Sequence, residues 1–138
     1  MTAQGFQELF DRLERVWHED QHDLVADCVA PLYVRHDEAG TRRITPDEFA
    51  DEVIATKRSR PNIRFTIHDH GIAHNRAWFR LSMTWSDAAS GEKRTRAGFQ
   101  VFRIEDGLLA ETWIMLFGLD SSWPDAAGQQ RWTSPYWH

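Results

Sequence analysis

His36 is the residue whose neighbours first suggest chemistry. It ends the run Leu32-Tyr33-Val34-Arg35-His36, and an imidazole among apolar residues titrates near neutrality, so it can take a proton from carbon or oxygen and return it elsewhere. The competing reading is a core histidine held by a backbone carbonyl. Gln100, inside Gly98-Phe99-Gln100-Val101-Phe102, can donate amide hydrogens to a developing oxyanion, or it can bridge to water. His68-Asp69-His70 offers two readings. Its imidazoles share a strand face, but a catalytic zinc takes three protein ligands and no third is evident. Alternatively Asp69, on the face of Ile63, Phe65 and Ile67, can orient His36 as an acid orients its base. A solvated strand end is the plain alternative, because His70-Gly71 borders a turn. Arg96 can meet an anionic substrate or sit exposed at a strand end. Cys28, in an apolar helical pattern without a clear basic neighbour, reads as a buried, inert thiol.

These residues need elements to hold them, and the plainest lies between Arg94 and Phe117. Two β-branched and aromatic runs flank Glu105-Asp106-Gly107, and an Asp-Gly step at such a junction predicts a tight hairpin. Alternation puts Arg94, Arg96, Gly98, Gln100, Phe102 and Ile104 on one face, and both faces of the second arm, Leu108 to Leu116, are largely apolar. Upstream, Ile63 to His70 and Ala77 to Trp85 alternate as half-buried strands, with a turn near His74-Asn75. Phe6, Leu9, Phe10, Leu13, Val16 and Trp17 fall at helical spacing. Asp23 to Val29 reads as a short second helix stopped by Pro31. Leu32 to His36 reads as a short strand before a polar loop containing Gly40. Thr45-Pro46-Asp47-Glu48 has the form of a capping box opening a third helix, with Phe49, Val53 and Ile54 inward and Pro61 closing it. Helices followed by an antiparallel meander give an α+β domain, the helices gathered on one sheet face.

A chain of 138 residues fits one domain with a real core. Seven Trp, eight Phe and two Tyr exceed what a plain core needs, so some of these rings are expected to line a cavity or an interface. The formal charge of −5, without a basic stripe, argues against nucleic acid. The opening MTAQGFQELFDRLERVW lacks the regions of a signal peptide, no run reaches the length of a membrane span, and the one cysteine fits a reducing compartment. A soluble cytoplasmic protein is expected. Residues 119–138 lack a period, yet Trp123, Trp132, Tyr136 and Trp137 make that tail a segment expected to pack back on the 1–118 domain or across a dimer.

GFQVFRIEDGLLAETW resembles the penultimate strand, Asp-Gly turn and last strand of the SnoaL-like branch of the nuclear transport factor 2-like superfamily. Phe79 to Trp85 resembles a strand of its ketosteroid-isomerase relatives, and Leu32 to His36 their first strand. The resemblance covers most of residues 6–118. It implies three N-terminal helices packed in the concavity of a strongly curved, mostly antiparallel sheet, a cone-like α+β barrel. It also implies a homodimer through the sheet and proton-transfer chemistry (isomerase, dehydratase or cyclase) on a hydrophobic carbonyl compound, with no cofactor and no metal. His36 matches the position of the isomerases' catalytic base, Gln100 that of their protonated acid, and Ile114 that of the cyclases' aspartate. The implied catalytic set is His36, Gln100 and Asp69. The implied pocket is formed by Trp17, Val34, Phe49, Val53, Phe65, Phe79, Leu81, Met83, Arg96, Gly98, Phe102, Thr112, Ile114 and Leu116, with Glu111 and Trp113 outside it. A non-catalytic ligand-binding or dimerisation module of the same fold is the alternative.

Overall fold

The structure is a computed structural model, and it describes residues 1–125 and 127–133. Helix α1 spans Ala3–His18, opened by Thr2, whose hydroxyl accepts the Gly5 N–H at 2.9 Å. Its stripe of Phe6, Leu9, Phe10, Leu13 and Val16 is buried, as the helical spacing predicts. The second helical segment, His22–Asp27, is a 3₁₀ helix. Helix α2, Pro46–Ser59, carries the expected reciprocal capping box, with Thr45 and Glu48 each bonding the other's backbone N–H. Phe49 and Val53 turn inward from it.

Six strands follow the order of the chain: β1 Val29–Asp37, β2 Gly40–Ile44, β3 Arg64–Ala73, β4 Arg76–Ser86, β5 Lys93–Glu105 and β6 Leu108–Leu116. They form one sheet in the order β2-β1-β6-β5-β4-β3. All neighbours are antiparallel except β1 and β6, which run parallel and bring the first strand beside the last. The sheet curves around the helices without closing. Its concave side holds the core, where the Phe10 ring meets Phe79 at 4.8 Å and Phe102 at 5.1 Å. Asp106 (φ 54°) and Gly107 (φ 75°) turn β5 into β6, the left-handed pair that an Asp-Gly step favours.

Three local features differ from the sequence reading. The Gly40 loop contains strand β2; a mostly polar edge strand has only one neighbour to pair with and shows no apolar alternation. Pro31 does not end a helix but lies within β1, where the pairing with β6 shifts between Val29 and Val34 and no ladder donor is required. In β3 the partner register steps from Ile67↔Leu81 to Asp69↔Arg80, so His68 is an extra residue and the alternation reverses there.

The tail packs back along β3 and β4. The Trp123 indole N–H donates to Leu81 O at 2.8 Å, and the Gln129 N–H to Ile67 O at 2.6 Å. Trp132 is buried, its indole donating to Phe65 O at 3.0 Å and its backbone N–H to the Glu14 carboxylate at 3.2 Å. Tyr136 and Trp137 lie outside the described residues.

Candidate active site

Between α1, α2 and the concave sheet lies a cavity of about 300 Å³. Most of its wall is apolar. Phe10, Leu13 and Trp17 come from α1, Phe49 and Val53 from α2, and Phe65, Phe79, Leu81, Met83, Phe102, Ile114 and Leu116 from the sheet. Trp132 of the tail completes that wall. The strand alternation accounts for this set, since one residue in two of β4, β5 and β6 faces the helices.

Gln100 is the polar group of the central strands that reaches the cavity. Its Nε2 donates to Thr112 Oγ1 at 3.0 Å, and Thr112 in turn donates to Val101 O at 2.9 Å. Thr112 is fully buried behind the wall rather than on it, and its hydroxyl fixes the direction of the Gln100 amide. Gly98, also expected in the pocket, is absent from the lining because Leu116 covers it. A Cβ there would lie 2.8 Å from Leu116 Cδ2 and collide with the carbonyl of Met115, so only glycine permits this approach of β5 and β6.

Strand β1 contributes the face opposite to the one expected. Tyr33, Arg35 and Asp37 point into the cavity, whereas Val34 and His36 do not line it. Burial pushes the Tyr33 phenol up to about 12, with Arg35 and the Thr112 hydroxyl acting in the other direction, so at neutral pH it is a protonated donor. At the mouth, Arg42 forks between two carboxylates. It bonds Asp37 at 2.8 and 2.9 Å and Glu52 at 2.7 and 3.3 Å. The Arg42 bonds, against a burial cost, and the Ala39 N–H hold the Asp37 carboxyl below the usual carboxylate range.

His36 lies on the convex side. Its Nε2 meets Glu111 Oε2 at 2.6 Å, its Nδ1 meets Thr41 Oγ1 at 2.8 Å, and its ring stacks on Trp113 at 5.3 Å. The sheet itself separates it from the cavity, because parallel pairing registers His36 with Trp113, and Glu111 and Trp113 face outward as expected. Asp69 is turned to the same convex side by the extra residue His68, and Arg80 grips it at 2.8 and 3.0 Å. Asp69 therefore orients Arg80 and not His36. The same irregularity separates the two imidazoles: His68 bonds Ser82 Oγ and Ala127 O, while His70 packs beside Phe6 and Phe79. Among the described residues no group of His, Cys, Asp or Glu is arranged to hold a metal ion.

Arg96 does extend the inner register towards the open end, but it does not line the cavity. Its guanidinium is committed to the Glu38 carboxylate and to Phe117 O at 2.6 Å and Leu116 O at 3.2 Å. Cys28 is buried and its thiol is pushed up to about 11, chiefly by that burial, so it stays a neutral thiol.

The sequence reading missed Tyr33, Arg35 and Asp37 because β1 shows no distinct apolar face, and Glu52 because it is one of the charged positions of α2, beside the inward Val53. Leu32, Val34 and His36 look no more exposed in the sequence than Tyr33, Arg35 and Asp37. The signal that settles the choice is non-local: Arg35 is registered with Thr112, which faces the helices.

The family model of the SnoaL-like domain matches residues 8–112. No curated protein matches the sequence significantly. Among solved structures, TsrD from Streptomyces laurentii aligns with a TM-score of 0.73 at 19% identity, covering 84% of this chain and 90% of that one. A SnoaL-like polyketide cyclase from Agrobacterium tumefaciens aligns with a TM-score of 0.68 at 13% identity, covering 82% and 88%. At such identities the likeness is one of fold.

Proposed function

We propose, from the premise that this chain belongs to the SnoaL-like domain family, that it catalyses cofactor-independent proton transfer next to a carbonyl. Isomerisation, dehydration and cyclisation of a hydrophobic small molecule all belong to that class. The observation that carries this reading is a single polar amide, Gln100, held in a fixed direction by Thr112 among the apolar side chains that the central strands β4, β5 and β6 present to the cavity. Gln100 has a second amide hydrogen for a substrate oxygen, and the protonated Tyr33 phenol is a further donor in the same cavity.

The base in this reading is Glu52 rather than His36. Both mouth carboxylates pair with Arg42, but Asp37 also accepts the Ala39 N–H at 2.9 Å, whereas Glu52 Oε2 holds only a long 3.3 Å bond. The less saturated oxygen is the better proton acceptor. Two copies associate through the convex face, where Trp78, Phe99, Trp113 and Met115 expose apolar surface on the central strands. The cytoplasm is the compartment in this reading, in keeping with a single cysteine that has no partner in the chain.

The test is proton–deuteron exchange at the α-carbon of 2-tetralone in D₂O, followed by NMR. The wild type accelerates exchange, Glu52→Gln lowers the rate by about two to four orders of magnitude, and Gln100→Leu lowers it by about two. Both carboxylates being arginine-paired favours a second reading, a ligand-binding module without turnover; binding of 2-tetralone without accelerated exchange would establish it.

A further inference from the structure

The mouth of the cavity holds two arginines and two carboxylates, and their hydrogen bonds are unequally divided. Arg42 takes both carboxylates, with two bonds to each. Arg35 stands 3.9 Å from Asp37 Oδ2 and 3.9 Å from Glu52 Oε1, close enough for attraction but beyond a hydrogen bond. Its Nε is shielded from solvent and has no acceptor among the described residues. A guanidinium presents five N–H donors in a fixed fork, so one in a cavity wall whose Nε is buried without an acceptor calls for an explanation.

The position of Arg35 is not accidental. Its side chain is only 13% exposed and lies over the Phe49 ring at 5.0 Å and the Tyr33 ring at 5.6 Å. These two rings, themselves packed edge to face at 5.3 Å, hold the guanidinium against the cavity wall. Other cations at this end are differently placed. Arg96 is bound to Glu38 and to backbone carbonyls, and Arg60 stacks on Trp85 at 5.2 Å. Glu38 also lines the cavity, its carboxylate held by Arg96, so the charges of Asp37, Glu52 and Glu38 are matched by Arg42, Arg35 and Arg96 together, and Arg60 adds a further positive charge to the lining.

We propose that Arg35 is the anchor for an anionic, two-oxygen group, a carboxylate or a delocalised enolate, on an otherwise hydrophobic aromatic ligand of this cavity. The ligand's rings lie against the aromatic wall of Phe10, Trp17, Phe65 and Phe79. Its anion takes the forked donors that Asp37 and Glu52 leave open. The inference rests on the cavity being the ligand site, as in the proposed function, but not on any reaction occurring there. It also gives a reason for the Arg42 fork: were Asp37 and Glu52 not held by Arg42, they would compete with the ligand for Arg35.

The experiment compares 2-naphthoate with its methyl ester, which has the same rings and no charge, by isothermal titration calorimetry on the full chain. The quenching of cavity tryptophan fluorescence gives a second readout. The wild type binds the carboxylate at least about tenfold more tightly than the ester. Arg35→Gln loses that preference while binding the ester as before, Arg35→Lys retains part of it, and Arg103→Gln, whose guanidinium pairs with Glu111 and Glu105 outside the cavity, retains it whole. Unchanged ester binding by Arg35→Gln shows that the cavity survives the substitution. Equal binding of both probes by the wild type, failure of 2-naphthoate to bind at all, or an undiminished preference in Arg35→Gln overturns the proposal. A protein that keeps the preference but exchanges no α-proton leaves the anchor standing and overturns only the reaction.

Discussion

Replacing Thr112 by valine removes one hydroxyl and changes little in shape, so its consequences follow closely from the contacts. Thr112 is fully buried; it accepts from Gln100 Nε2 at 3.0 Å and donates to Val101 O at 2.9 Å. Each bond contributes about 1 kcal/mol net, and the Gln100 N–H deprived of its acceptor faces an apolar wall. The added methyl occupies the volume of the hydroxyl, so no cavity term enters. Together these give a loss of about 1–3 kcal/mol, which for a domain of this size lowers the melting temperature by about 3–10 °C. Urea denaturation measures the first figure and calorimetry the second. Without Thr112 the amide turns freely, so α-proton exchange of 2-tetralone falls by about tenfold or more, although the substituted residue does not line the cavity. Thr112→Ser, which keeps the hydroxyl, preserves exchange and loses about 1 kcal/mol of stability through its missing methyl. A Thr112→Val protein as stable and as active as the wild type would refute the claim that this hydroxyl orients Gln100.

Three further outcomes follow from the geometry. His36→Ala removes a partly exposed pair with Glu111 and Thr41 on the convex face, so exchange activity stays within about twofold and stability drops by no more than about 1 kcal/mol; a collapse of activity with the fold intact would return the imidazole to the chemistry. Glu111, through the His36 bond above all, and Asp37, through Arg42, are held below their ordinary ranges, so the unfolded chain takes up protons before the folded one does. Their contribution is complete above the unfolded carboxylate range and is lost as pH falls from there through the lower folded values, which urea midpoints measured from neutral pH down to about pH 3 will show as a decline on the acid side. Cys28, a neutral buried thiol with its pKa pushed up to about 11, reacts with a disulfide reagent at neutral pH only as fast as the protein unfolds, a dependence read by varying urea at fixed reagent.

Much of the architecture could be read along the chain because the signals are local. The α1 stripe, the Thr45–Glu48 box, the Asp106–Gly107 turn and the alternation of β4, β5 and β6 each depend on residues within one turn or one strand. Local alternation set which residues share a face and the family resemblance implied which face is inner, and eleven of the residues so expected line the cavity: Trp17, Phe49, Val53, Phe65, Phe79, Leu81, Met83, Gln100, Phe102, Ile114 and Leu116.

The features that escaped such a reading depend on contacts between distant residues. A strand shows two faces, and a run as short and mixed as residues 32–37 contains nothing to say which is buried; the parallel pairing of Arg35 with Thr112 assigns it, and with it the polar lining of the cavity. One inserted residue at His68 inverts everything after it, taking Asp69 away from the face that alternation predicts. Strand β2 exists because β1 offers it a free edge, and Trp132 joins the cavity wall because Phe65 O and Glu14 accept its two N–H groups. Periodicity is a property of neighbours in the chain and sets which residues share a face. Which face meets the core is a property of neighbours in space, because it is the pairing partner and the packing against it that remove one side from water.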